Sequence, residues 1–335
     1  MSRQTRPDSV SADVLDVDPQ STVDEIVSGL EEVVLRRLRK RGAVVALSGG
    51  VDSSVCAALA VRAFGPEHVL GVFMPESDSA PETLELSRLS ASWLGIDTVL
   101  EDITELLTAA GCYSRRDAAI RSVLPDYGPG WKAKIVLPPL LGANRFRLFS
   151  VVAESPDGEQ RKARLTAPAY REVVAATNFK QRTRKMLEYH HADRLDYAVV
   201  GTPNRLEYDQ GFFVKQGDGA ADVKPIAHLY KTQVYKLAEF LDIPEEIRSR
   251  PPTTDTYALP QSQEEFYFSL PWDKMDLCLY GKTNGLPPEA VSDAVGLSPE
   301  DVERVYRDID AKRRVAEVLH LEPQLVVDAP ELERH

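Results

Sequence analysis

The residues best suited to chemistry are Ser48, Gly49, Gly50, Val51, Asp52, Ser53 and Ser54, directly after the apolar run Val44-Val45-Ala46-Leu47. Two glycines behind a strand let backbone amides come close to an anion. The hydroxyls of Ser48, Ser53 and Ser54 add donors, and a helix starting here adds the positive end of its dipole. That combination suits a phosphate chain. Asp52 would repel such an anion unless a divalent cation stood between them, which points to Mg²⁺. The competing reading is a Gly-Gly turn with a capping carboxylate. A Walker-type loop is excluded, because Gly281-Lys282-Thr283 has the right ending but Asp276 stands where G-x-x-x-x-G-K-[ST] requires glycine.

The surrounding pattern supplies the elements that would position these groups. Apolar positions three and four apart predict an amphipathic helix over 21–41, capped by Ser21 or Thr22. Short buried strands follow at 43–47, 68–75, 97–103 and 195–202, with helices at 52–64 and 80–94. Such alternation predicts an α/β fold with a doubly wound parallel sheet. Ligands in such folds sit beyond the carboxyl ends of the strands, where Ser48, Pro75 and Thr202 fall. Residues 113–170 break the rhythm. Two strand-like runs flank Pro156-Asp157-Gly158, the mark of an antiparallel hairpin insertion. Residues 1–20 read as a flexible leader and 282–335 as a helical C-terminal segment and tail, with a helix start at Ser298-Pro299.

Composition narrows the classes. The chain has 335 residues, 52 Asp+Glu against 40 Lys+Arg and a net charge of −12, which disfavours a nucleic-acid partner. There is no apolar run long enough to span a membrane and no apolar signal core. Cys56, Cys112 and Cys278 form no CxxC pair, which suits a reducing compartment. The expectation is a cytoplasmic protein.

Ser48–Ser54 resembles the pyrophosphate loop of the N-type ATP pyrophosphatases, which split ATP between the α and β phosphates. Residues 199–255, beginning Val-Val-Gly-Thr-Pro-Asn, and the run Asn178-Phe179-Lys180-Gln181-Arg182-Thr183-Arg184 resemble the ammonia-dependent NAD synthetase family. The resemblance extends over 21–103 and 178–281, with a weaker tail at 298–320, and makes 21–281 one such domain carrying the insertion. It implies an adenine nucleotide alpha hydrolase-like, Rossmann-like fold. The implied enzyme is an AMP-forming amide ligase that adenylates deamido-NAD with ATP and Mg²⁺, then transfers ammonia. By the same resemblance Ser48, Gly49, Gly50, Asp52, Ser53, Ser54, Thr202, Lys231 and Thr253 bind ATP, and Asp52 and Glu207 hold the metal. Asp52 and Lys231 carry catalysis, and Arg182, Lys215 and Asp222 bind deamido-NAD. A homodimer is implied. Ammonia is expected free or from a separate glutaminase, since no glutaminase is visible in these residues.

The residues make sense without the resemblance. Glu207 follows Thr202 on a short polar turn, placed to meet Asp52 across the strand tips, and two carboxylates around a phosphate call for Mg²⁺. Lys231 would neutralise charge as pyrophosphate departs. The plainer readings are a solvated turn carboxylate for Glu207, a first-turn helix lysine for Lys231 and surface ion pairs for Arg182 and Arg184. His190 and His191 read as structural, because neighbours on a helix face different ways. Trp131 and Trp272 read as packing. The loops near 76–80 and 253–268 are candidates for closing over the site. Two departures from the family pattern bear on the substrate: the 113–170 insertion, and Ala311 where the family shows histidine before Lys312. They leave open the same chemistry on a sugar uronate or natural-product acid. A rival of another class is tRNA thiolation, and a third is a nonenzymatic nucleotide-binding relic.

Overall fold

The computed structural model describes residues 10–138, 140–141, 148–253 and 256–327. In chain order the elements are α1 (Pro19–Leu30), β1 (Ala43–Ala46), α2 (Val51–Phe64), β2 (Val69–Phe73), α3 (Pro81–Leu94), β3 (Asp97–Leu100), α4 (Thr104–Ala109) and α5 (Cys112–Arg121). Then come β4 (Lys132–Val136), β5 (Ser150–Glu154), β6 (Gln160–Arg164), α6 (Ala167–Leu195), β7 (Ala198–Val200), α7 (Arg205–Gln210) and α8 (Lys231–Phe240). The chain continues as α9 (Glu245–Arg248), α10 (Trp272–Thr283), α11 (Pro288–Val295) and α12 (Pro299–His320).

Four parallel strands form the main sheet in the order β3-β2-β1-β7. Their side chains alternate between two faces, as strand geometry requires. Ala43, Val45, Val69 and Phe73 pack on one side with α1, α2 and α8, while Val44, Leu70, Val72 and Val199 pack on the other with α4, α5 and α6. Val44, Val45 and Val72 are fully buried, and each such valine contributes about 1.5–3 kcal/mol of burial. Helices on both faces leave the carboxyl ends of β1 and β7 as open ground for a ligand. Among the described residues no helix is long and apolar enough to cross a membrane.

Several expectations need correction. The first helix starts at Pro19, because Asp18 accepts the Ser21 amide at 2.9 Å and Pro19 fits the first turn without losing a hydrogen bond. Past Leu30 the helix winds on in π-helical turns over Glu31–Arg37. Residues 10–20 are not loose: Val10 and Leu15 are buried among side chains of α10–α12, and Gln233 Nε2 donates to the Leu15 carbonyl at 3.1 Å. Two apolar anchors in a polar stretch are too few to show periodicity, so the docking left no sequence signal. Residues 1–9 of the expected leader lie outside the described residues. The insertion is a three-stranded antiparallel sheet, β4-β5-β6, of which the sequence showed the β5–β6 hairpin and not β4. The boundary expected at 281/282 falls inside α10, whose buried face joins α11 and α12 in one apolar cluster.

Candidate active site

A cleft of about 710 Å³ opens at the carboxyl ends of β1 and β7. Ser48, Gly50, Asp52, Ser53, Thr202, Glu207, Lys231, Thr253, Arg182 and Lys215 all line it. Gly49 makes the turn out of β1 with φ of +68°, and a Cβ there would stand 2.7 Å from the Thr83 carbonyl of α3. Only glycine fits that crossing. Gly50 then caps α2 without any side-chain hydrogen bond, so the first-turn amides of α2 face the cleft with no side-chain acceptor at the cap. Ser53 Oγ accepts the Ser48 amide at 3.3 Å and donates to the Gly50 carbonyl at 3.0 Å, which fixes the bend. Ser54 is different. Its hydroxyl donates to the Gly50 carbonyl and accepts from Ser90 at 3.1 Å, and the residue is wholly buried, so it braces the helix rather than facing the cleft.

Three charges meet at the mouth of this loop. Lys231 Nζ pairs with Asp52 Oδ2 across 179 positions of sequence, and Asn204 Nδ2 donates to Asp52 Oδ1 at 3.4 Å. Glu207 arrives on α7 through a capping box: Asn204 Oδ1 accepts from the Leu206 and Glu207 amides, and the Glu207 carboxylate accepts the Asn204 amide at 3.2 Å. Its other oxygen accepts from Gln263 Nε2 at 2.9 Å. Lys231 is held by its backbone, because buried Asp276 accepts the Lys231 amide at 3.2 Å and the Thr232 amide and hydroxyl at 2.7 Å each.

The electrostatics follow from crowding. Burial, and then the neighbouring Asp52 charge, push the Glu207 carboxyl up to about 8 despite Lys231. Burial works against the Lys231 ammonium, but Asp52 and Glu207 outweigh it and raise its pKa. Burial raises the Cys56 thiol, one turn below Asp52, well above its ordinary value and leaves it inert. Two carboxylates this close, one driven to hold a proton, form a donor set that a divalent cation would relieve. Among the described residues no group of three or more His, Cys, Asp or Glu could hold a metal ion, so phosphate oxygens and water would complete the shell of an ion held by these two carboxylates.

At the other end of the cleft, Arg182 Nε donates to the Lys215 carbonyl at 3.3 Å. Lys215 Nζ caps the end of α12 through the carbonyls of Val318 and Leu321 at 3.0 and 3.1 Å. Lys312, beside the departure at Ala311, also reaches the cleft wall and donates to the Tyr267 carbonyl at 2.8 Å. Asp222 is not brought here. Its carboxylate accepts the Val199 amide at 2.7 Å and the Tyr189 hydroxyl at 3.3 Å, and it borders a separate groove beside α1.

The plainer reading fits His191 and Trp272. His191 Nδ1 accepts from Arg194 and Nε2 meets Glu101 at 2.9 Å, while Trp272 stacks on Tyr235 with ring centres 4.8 Å apart. Sequence reasoning missed Gln263, which carries no motif, and Lys180. The Lys180 ammonium is buried and donates to Glu76 Oε1 at 2.9 Å, Asp78 Oδ2 at 2.6 Å and the Thr256 carbonyl at 2.8 Å. It thereby ties the loops after β2 and after Thr253 to α6. The signal for it was present, since Lys180 sits within the Asn-x-Lys-x-Arg pattern.

The NAD synthase family model matches residues 22–120 and 156–316. The break at 121–155 contains β4 and β5, a narrower insertion than the 113–170 read from sequence. The NH(3)-dependent NAD(+) synthetase of Rhizobium meliloti (strain 1021) is 59% identical over 332 residues, covering 98% of this chain and 99% of that protein. The one from Mesorhizobium japonicum is 57% identical over 318 residues, 95% of this chain and 100% of that protein. A solved structure of NMN synthetase from Francisella tularensis has a TM-score of 0.62 at 22% identity, covering 92% of this chain and 100% of that one, a likeness of fold. By its matched length and by relatives alike along nearly their whole sequences, this chain belongs to the NAD synthase family.

Proposed function

We propose that this chain is an AMP-forming amide ligase that joins ammonia to the carboxylate of deamido-NAD, using ATP. The observation that carries the reading is the meeting of Asp52, Glu207 and Lys231 in front of the uncapped start of α2. The amides of that first turn, with Ser48 and Ser53, receive the β and γ phosphates, and Thr202 and Thr253 border the rest of the nucleotide. Asp52 and Glu207 would hold Mg²⁺, which when bound offsets the charge of the departing pyrophosphate.

The substrate carboxylate attacks the α-phosphorus, the bond to the β-phosphate oxygen breaks, and the acyl adenylate forms. Lys231 neutralises charge as it grows on the leaving group. Ammonia then attacks the activated carbonyl and AMP leaves. Arg182 and Lys215 supply positive charge where the dinucleotide substrate would lie, and Asp222 is left to a role outside this cleft. No protein nucleophile takes part, in keeping with three buried cysteines. The same burial disfavours tRNA thiolation by a cysteine relay. Relatives of 57–59% identity that are named for NAD synthesis favour deamido-NAD over another carboxylate. Ammonia comes free or from a separate glutaminase, and the working unit is a cytoplasmic homodimer.

The test is to incubate the protein with ATP, MgCl₂ and ammonium, add deamido-NAD or a panel of other acids, and follow pyrophosphate and amide. Pyrophosphate and NAD should appear together and only with deamido-NAD. ADP as the product would end the adenylation mechanism, and turnover with another acid alone would end the substrate assignment.

A further inference from the structure

Two strands of the inserted sheet, β4 and β5, lie outside the family match, yet β4 is bonded to a segment that borders the cleft. Among the described residues β4 is an edge strand, paired only with β5, and an edge strand leaves backbone groups on its far side without sheet partners. Here that far side is used. Gln261 Nε2 donates to the Ile135 carbonyl of β4 at 2.6 Å. Lys134 Nζ donates to the Pro260 carbonyl at 3.1 Å and pairs with Glu265 at 2.8 Å. Beneath these bonds Tyr257 and Phe266 pack in the apolar cluster of Ile135, Val151 and Ala153. The same segment presents Gln263 to Glu207 at 2.9 Å and is held from the α6 side by Lys180 on the Thr256 carbonyl.

We infer that the insertion is a bracket: it fixes residues 256–268 against the cleft before substrate arrives, so that Gln263 already holds Glu207 in place. Lys134 and Gln261 are positioning residues, since neither lines the cleft. The segment belongs to the family's shared core, whereas β4 and β5 do not, so the bracket is an addition to that core. A loop ordered in advance binds its ligand without first meeting the cost of ordering itself. The inference rests on the ligase reading for its kinetic consequence and on geometry alone for its dynamic one.

The experiment compares the full chain with Lys134→Met, Glu265→Gln and the pair Lys134→Met with Gln261→Leu. The first readout is backbone hydrogen exchange without ligands. Loss of one such bond should speed exchange of amides in 256–268 by roughly three- to tenfold while those of β1 and β2 stay at the parental rate. The second is steady-state pyrophosphate release. The paired variant should show an ATP KM raised about threefold or more, with kcat at saturating ATP within about twofold of the parent.

Unchanged exchange in 256–268 overturns the bracket, as does an equal rise in β1 and β2, which would mean global destabilisation. A fall in kcat with KM unmoved overturns it too. If the paired variant does not fold, Glu265→Gln decides through exchange alone, because its side chain is 41% exposed. Absence of pyrophosphate release from the parent would sink the ligase reading and leave the exchange result standing.

Discussion

Replacing Lys231 by methionine withdraws the positive charge that sits with Asp52 and Glu207, and with Glu207 holding its proton takes the formal local balance from 0 to −1. Two separate consequences can be sized. Losing a group that neutralises developing charge in a water-poor site costs about 2.7–4 kcal/mol, or roughly 10²–10³ in kcat. Lys231 is 2% exposed, so the larger figure applies. Breaking a buried ion pair costs about 3–5 kcal/mol of folding free energy, but the Asp52 side chain is 17% exposed and water recovers part of that, leaving about 2 kcal/mol. MgCl₂ should return more stability to the variant than to the parent, because Nζ no longer competes for Asp52. The assays are steady-state pyrophosphate release at saturating ATP and urea unfolding with and without MgCl₂. A kcat within tenfold of the parent, or equal stabilisation of both proteins by MgCl₂, refutes the account of Lys231.

Two further outcomes follow from the same geometry. Burial pushes Asp276 up to about 6 despite the hydrogen bonds it accepts from Lys231 and Thr232, so its stabilising contribution is full below about pH 4 and lost as pH rises through 6. Asp276→Asn should therefore gain on the parent by about 2–3 kcal/mol in urea unfolding between pH 4 and 7; parallel curves would mean that the donors keep the carboxylate ionised. Gly49→Ala puts a methyl 2.7 Å from the Thr83 carbonyl at a φ of +68° and should lower unfolding free energy by about 2 kcal/mol while raising ATP KM roughly tenfold. Parental stability and KM in that variant would show that the turn has room to spare.

Much of this protein could be read along the chain because its causes are local. The continuous apolar runs of β1, β2 and β7, the glycine turn into α2 and the Ser298-Pro299 start of α12 each depend on a few adjacent residues. Asp52, Glu207 and Lys231 were also legible as neighbours at the strand tips, although Glu207, read on a short polar turn, stands in the first turn of α7 because Asn204 caps a helix there. What only the tertiary structure decided lies where distant segments meet. Gln263 reaches Glu207 across 56 positions, and Lys180 joins Glu76 to Thr256 across 104 and 76. Asp222 stays with β7 while Ser54 turns into the packing of α2 on α3. β4 carries no turn signature, and Val10 and Leu15 are single anchors on α10–α12. Hydrogen bonds and burial of that kind follow from which surfaces the folded sheet brings together, and a pattern read a few residues at a time holds no record of them.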